Sequence, residues 1–209
     1  ELVFYDIGAS TYDGVVSKEW VKAIAEKINI PFCVAGGIKS VEQAKVILNS
    51  GADKVSVNSP AIERPELIHE LANEFGSQCV VVGIDSLMIE DDYIVYSKTG
   101  DENTATNTSI KTIDWIEKVQ ELGAGEIVLN CMDRDGVRDG YDIYQLNKMI
   151  SISNIPVIAS GGAGSMKDFK NVLTQTNSSG ALAASVFHKN LFNINDLKIY
   201  LKKESLNIR

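Results

Sequence analysis

Two pairs of small-residue turns are places where bare backbone could bind an anion. Ala35-Gly36-Gly37 runs into a helical stretch opening near Ser40, and Ser160-Gly161-Gly162-Ala163-Gly164 runs into one opening near Ser165. Free N–H groups at a helix N-terminus attract phosphate, and glycine lets it approach closely. Val57-Asn58-Ser59 and Ala184-Ser185 follow the next strand-like run in each case and would complete each cradle with backbone N–H groups and a side chain. One Gly-Gly turn means little, since most only reverse the chain. Two, each with a polar follower, imply an extended substrate with a phosphate at both ends. Between the cradles, the acids that end strand-like runs are Asp6, Asp85 and Asp135. Asp85 closes the apolar run Val80-Val81-Val82-Gly83-Ile84. Such surroundings would raise a carboxyl's pKa toward acid–base use, although a capping or loop-anchoring acid fits the same position. Asp133-Arg134-Asp135-Gly136 reads equally as a substrate-facing loop or as a turn closed by its own Asp–Arg pair.

The other reactive residue types carry less. His69 falls on the polar side of a helical stretch, and His188 has no partner, the usual situation of a structural histidine. Cys33, Cys79 and Cys131 form an odd, widely spaced set within apolar stretches. They read as core residues, so neither a disulfide framework nor a metal site is indicated, and no motif calls for a cofactor. Trp20 and Trp115 fall in helical stretches and are expected to pack. Glu1, Lys54 and Glu126 begin strand-like runs, at the end opposite the cradles. Buried charges there must be paired, as a structural ion cluster or as a gate to a central axis.

These residues are positioned by short β-rich runs alternating with helix-period segments, the βαβ pattern of a parallel sheet. The runs are 2–6, 32–35, 54–57, 79–85, 126–130, 156–159 and 181–184. Ser40 to Gln43, Asp142 to Gln145 and Ser165 to Asp168 resemble capping boxes, and Pro65 suits a first helical turn. One segment, 86–112, is too long for an ordinary connection and predicts a small hairpin followed by a flexible lid. The two halves repeat: Glu1-Leu-Val-Phe-Tyr5 matches Glu126-Ile-Val-Leu-Asn130, and Pro31 to Gly37 matches Pro156 to Gly162, both at an offset of 125. The strand ending at Asp85 would have its counterpart about 40 residues before Glu1. The repeat therefore predicts a (β/α)8, or TIM, barrel with two-fold internal symmetry, of which residues 1–209 supply strands two to eight in one domain and lack the first β/α unit. The 209 residues are also fewer than the roughly 250 of such barrels. Active sites in that fold lie at the C-terminal strand ends, where the glycine turns and Asp85 fall. A hydrophobic fraction of 44% supports a packed core. A net charge of -8 disfavours nucleic acid or an anionic membrane as partner. No apolar run is long enough to span a membrane, no signal peptide precedes the core, and the thiols suit a reducing cytoplasm.

Glu1-Leu-Val-Phe-Tyr-Asp-Ile7, Phe32-Cys-Val-Ala-Gly-Gly-Ile-Lys-Ser40, Val57-Asn-Ser-Pro60, Val81-Val-Gly-Ile-Asp85, Gly123 to Asn130, Asp133-Arg-Asp-Gly136, Gly140-Tyr-Asp142, Ile158 to Gly164 and Leu182-Ala-Ala-Ser-Val-Phe-His188 together resemble the cyclase-subunit family of imidazole glycerol phosphate synthase in its enterobacterial form. The likeness spans the chain. It implies a lyase of histidine biosynthesis, in which ammonia from a glutamine amidotransferase subunit crosses the barrel and meets a bisphosphorylated ribulosyl-aminoimidazole carboxamide. The products implied are imidazole glycerol phosphate and an aminoimidazole carboxamide ribotide (AICAR). By this resemblance Asp85 is one of two acid–base aspartates, the other lying in the absent first unit. Gly37, Asn58 and Ser59 hold one phosphate; Asp135, Gly136, Ser160, Gly161, Gly162, Ala184 and Ser185 hold the second. Glu1, Lys54 and Glu126 are three of four gate charges at the ammonia entrance. Gly8 replaces a threonine usual in the family. A sister isomerase of the same pathway fits less well, because its last turn typically carries Gly-Arg where this chain has Ala184-Ser185. An amidine-forming homologue acting on a surface sugar and a non-catalytic barrel fragment that docks the glutaminase are the remaining alternatives.

Overall fold

The computed structural model describes residues 1–8 and 14–208. In chain order the elements are β1 (Leu2–Tyr5), α1 (Lys18–Ala25), β2 (Phe32–Ala35), α2 (Val41–Asn49), β3 (Lys54–Val57), α3 (Ser59–Glu63), α4 (Glu66–Phe75), β4 (Val80–Ile89), β5 (Asp92–Ser97), β6 (Thr106–Lys111), α5 (Thr112–Glu121), β7 (Glu126–Cys131), α6 (Ile143–Ile150), β8 (Val157–Ser160), α7 (Met166–Gln175), β9 (Gly180–Ala181), α8 (Ser185–His188) and α9 (Ile194–Lys203). The main path of the sheet is β1-β2-β3-β4-β7-β8-β9, each pair parallel, with helices in the crossovers. This is the TIM-type β/α barrel architecture. Strands covered on both faces must be apolar throughout, and Phe32 to Ala35 are all buried.

Two separate apolar clusters show the curl. The larger lies between sheet and helices, for example Val34, Val55, Val82, Ile127 and Ala159 against Val21, Ile47, Leu71, Ile116 and Leu146. The smaller brings Val3, Cys33, Val81, Val128, Ile158 and Leu182 together on the concave side. Residues from β1 and from just beyond β9 touch a common centre only if the sheet bends toward closure. Among the described residues, β1 pairs only with β2 and β9 only with β8.

The internal repeat is geometric as well as sequential. Phe32–Ala35 of β2 corresponds to Val157–Ser160 of β8 at the offset of 125. Ser40 and Ser165, equally spaced, cap α2 and α7 with nearly the same backbone, φ -147° and ψ 163° against φ -141° and ψ 163°.

Several expectations are corrected. In the 86–112 segment the expected hairpin forms, with β4 continuing to Ile89 and β5 pairing with it antiparallel, but the polar run after it is not simply a lid, since Thr106–Lys111 forms a third strand on β5. The last strand is shorter than 181–184, because the backbone from Ala184 turns to start α8. Trp20 is not packed in the core; it is 61% exposed and meets the edge of Phe4 at 6.4 Å. Pro65 caps α4 with helical backbone, φ -59° and ψ -29°, at the first turn as expected. Trp115, at 3% exposure, packs as expected.

Candidate active site at the C-terminal strand ends

Asp85 stands where four strand ends converge, and its carboxylate is fully engaged. Oδ2 accepts from Asn58 Nδ2 at 2.7 Å and from Thr99 Oγ1 at 2.5 Å, and Oδ1 accepts from Asn130 Nδ2 at 2.9 Å. Asn130 Oδ1 in turn accepts from Ser160 Oγ at 3.1 Å. The register explains the convergence: Asp85 lies opposite Asn130 on β7, and Asn130 opposite Ser160 on β8. One polar chain therefore links β3, β4, β7 and β8, running from the polar turn after β3 to the start of the glycine turn after β8. A carboxylate held by three donors has one orientation.

Asn130 and Thr99 were missed by reading the sequence. Asn130 had a signal, since it is a polar strand-end residue at the repeat position of Tyr5. Thr99 had none, because it reaches Asp85 only through the fold-back of β5.

The first glycine turn follows β2. Gly37 has φ 63°, and a Cβ on Gly36 would lie 2.8 Å from Asp6 Cβ. The side chains of the neighbouring polar turn point elsewhere than expected: the Asn58 amide serves Asp85, and Ser59 Oγ accepts the backbone N–H of Lys98 at 2.7 Å. Their backbone lies at the start of α3, with Asn58 at its cap. Asn58 Oδ1 is buried without a hydrogen-bond partner.

The second turn follows β8 and is tightly overlaid. A Cβ on Gly161 would sit 2.7 Å from Cys131 O, and one on Gly162 would sit 2.2 Å from Gly140 O. Both have positive φ, so glycine is required twice over. Asp168 Oδ2 accepts from the Gly164 and Ser165 backbone N–H groups at 3.0 and 2.7 Å, bracing the loop. Ala184 and Ser185 open α8 beside it. Asp135 and Gly136 are exposed on the 133–140 loop, whose Gly140 N–H bonds Gly162 O. Asp133 does not close its turn on Arg134; it accepts the backbone N–H of Met88 at 3.0 Å, tying this loop to β4.

At the opposite end, Lys54 Nζ lies 3.2 Å from Glu1 Oε2 and 2.9 Å from Glu126 Oε2. Burial pushes the Lys54 ammonium down, but the hydrogen bonds and charges of Glu126 and Glu1 outweigh it and hold the pKa above its ordinary value. His69 is exposed and paired with Asn73, and His188 is exposed. No cluster of three metal-ligating side chains occurs among the described residues.

Strand ends, paired glycine turns and a held carboxylate define a TIM-type barrel with a concave, polar C-terminal rim. The chain belongs to the family of histidine biosynthesis proteins, whose family model matches residues 1–193. It is 59% identical to the imidazole glycerol phosphate synthase subunit HisF of Pseudoalteromonas translucida, over 100% of this chain and 82% of the relative. It is 57% identical, with the same coverage, to the subunit of that name from Vibrio cholerae and to the subunit named hisF1 from Vibrio vulnificus.

Proposed function

We propose that the chain is the cyclase subunit of imidazole glycerol phosphate synthase, a lyase of histidine biosynthesis acting in the cytoplasm. The carrying observation is Asp85, fixed between two glycine turns related by the internal repeat. Its substrate is a bisphosphorylated ribulosyl-aminoimidazole carboxamide, with one phosphate on Gly37 and the Asn58–Ser59 backbone. The other phosphate lies against Gly161, Gly162, Ala184 and Ser185, near Ser160, with Asp135 and Gly136 closing from the loop above. Binding the ends places the reacting middle of the substrate over Asp85, so that positioning comes from the cradles and proton transfer from the acid.

Ammonia comes from a glutamine amidotransferase subunit in a heterodimer. It enters past Glu1, Lys54 and Glu126 and crosses the layer of Val3, Cys33, Val81, Val128, Ile158 and Leu182. Neutral ammonia can cross an apolar layer that excludes ammonium, because charge burial is what the layer penalises. Attack on the substrate and ring closure then release imidazole glycerol phosphate and AICAR. In this reading β1–β4 and β7–β9 are strands two to eight of the barrel. Among the described residues β1 and β9 each pair with one strand only, which supports that assignment, as does the 82% share of the first relative that the chain spans.

The test is Asp85→Asn in the full-length subunit, supplied with ammonium salts. Turnover should fall by about 10²- to 10⁴-fold while substrate affinity stays within about tenfold. Near-parental turnover would remove Asp85 from the mechanism.

A further inference from the structure

Asp85 faces the rim, so Ser86, the next residue of the strand, faces the helices. Its hydroxyl is fully buried there and held from two elements. Gln145 Nε2 of α6 donates to Ser86 Oγ at 2.5 Å, and Thr112 Oγ1, at the first residue of α5, lies 2.7 Å away. All three residues are at 0% exposure. The sequence pattern makes Gln145 a capping-box partner of Asp142. Only half of that box forms: Asp142 Oδ1 accepts the Gln145 backbone N–H at 2.9 Å, but the Gln145 side chain turns inward to Ser86.

The position on β4 gives this contact its importance. On one side β4 pairs with β3 only from Val80 to Val82. From Asp85 onward that edge belongs to the antiparallel strand β5. Asp85 and Ser86 therefore lie where the strand exchanges a parallel barrel neighbour for an antiparallel hairpin. On the other side the parallel ladder with β7 continues through Asp85 and Ser86, so the change of neighbour falls on one edge alone. A rotation of the backbone here would swing Asp85 away from Asn58 and Asn130. The Ser86 hydroxyl, anchored outward by two helices, opposes it together with the flanking ladders.

Core filling alone does not account for Gln145. Its Oε1 is buried without a partner, a cost to folding that Met or Leu, the types beside it at Leu146 and Met149, would avoid.

We infer that Gln145 and Thr112 are positioning residues that hold Asp85 in its working orientation through the Ser86 hydroxyl. The inference rests on the acid–base reading of Asp85.

The experiment uses Gln145→Met and Thr112→Val, near-isosteric changes, in the full-length subunit, assayed with ammonium salts and by thermal unfolding. Each should lower kcat about tenfold, with KM within about twofold, since a small misplacement of a reacting group is expensive in rate. The melting temperature of Gln145→Met should be unchanged or raised. In an Asp85→Glu background the same substitutions should change the residual kcat by less than about twofold, because the geometry they protect is already lost. A kcat within twofold of the parent, or a full further tenfold loss in the Asp85→Glu background, overturns the inference. So does failure of both variants to fold, which would assign the network to stability alone. An inactive Asp85→Asn beside a fully active Gln145→Met sinks this inference only, whereas an active Asp85→Asn sinks the reading beneath it.

Discussion

Burial separates the three thiols. Cys33 lies in the concave apolar layer, and its burial, with the charges of Glu1 and Glu126, pushes its pKa up to about 12. Cys131, fully buried at the end of β7, is pushed higher still by burial. Cys79 is half-buried before β4. Thiolate is the reactive form, so brief alkylation of the native protein at pH 8 should mark Cys79 in a peptide map and leave the other two untouched. Labelling of Cys33 at a comparable rate would contradict the buried interior layer. The same shifts set the sign of alkaline stability. Above the ordinary thiol value of 9.0 the unfolded chain releases protons that the folded chain retains. The raised Lys54 acts in the same direction, its contribution being lost as pH rises through its folded value. Stability therefore declines with pH from about 9 upward, a trend that melting curves between pH 8 and 11 would reveal. At this scale the sequence was legible where strand periodicity dictates direction, as for Asp85, and illegible where direction depends on a partner from elsewhere, as for Asn58, Ser59 and Thr99.

Helix starts were legible because capping is local, yet the detailed bonds were not. Ser165 donates its hydroxyl to Asp168, and it is Asp168 that satisfies the Gly164 and Ser165 N–H groups. The α7 cap is thus also the brace of the second glycine turn. Asp168→Ala should cost about 0.5–2 kcal/mol in stability. It should also raise KM for a phosphorylated substrate more than it lowers kcat, because the loop loses its fixed shape while Asp85 is untouched. An unchanged KM would separate the cap from phosphate binding. The third strand, β6, could not be read from Thr106-Asn107-Thr108-Ser109, which is polar and without alternation. It exists because β5 offers an edge, pairing Thr106 with Ser97 and Asn107 with Tyr96. Tertiary pairing here overrides a sequence that by composition suits a loop.

The whole sheet was legible through its repeat, since an offset of 125 carried strands, turns and caps together and a fold of two like halves has few alternatives. What remains physical about the sheet is its two edges. Beside β1 lie Tyr5, Ile7 and Trp20, and near the far edge lie Leu191, Ile194 and Ile199, all large apolar side chains between 43% and 71% exposed. Unpaired strand edges flanked by apolar surface invite association with other chains. A polypeptide of residues 1–209 alone should therefore associate or melt at low temperature, and should bind dyes specific for exposed apolar surface. The same polypeptide extended by the one further β/α unit that the proposed strand assignment calls for should be monomeric in isolation and melt cooperatively at a higher temperature, because pairing β9 to β1 through one more strand removes both edges at once. Light scattering and thermal unfolding of the two forms decide the matter. Equal melting temperatures and a monomeric short form would mean that neither edge takes a partner strand, and would refute the assignment of these seven strands to positions two through eight.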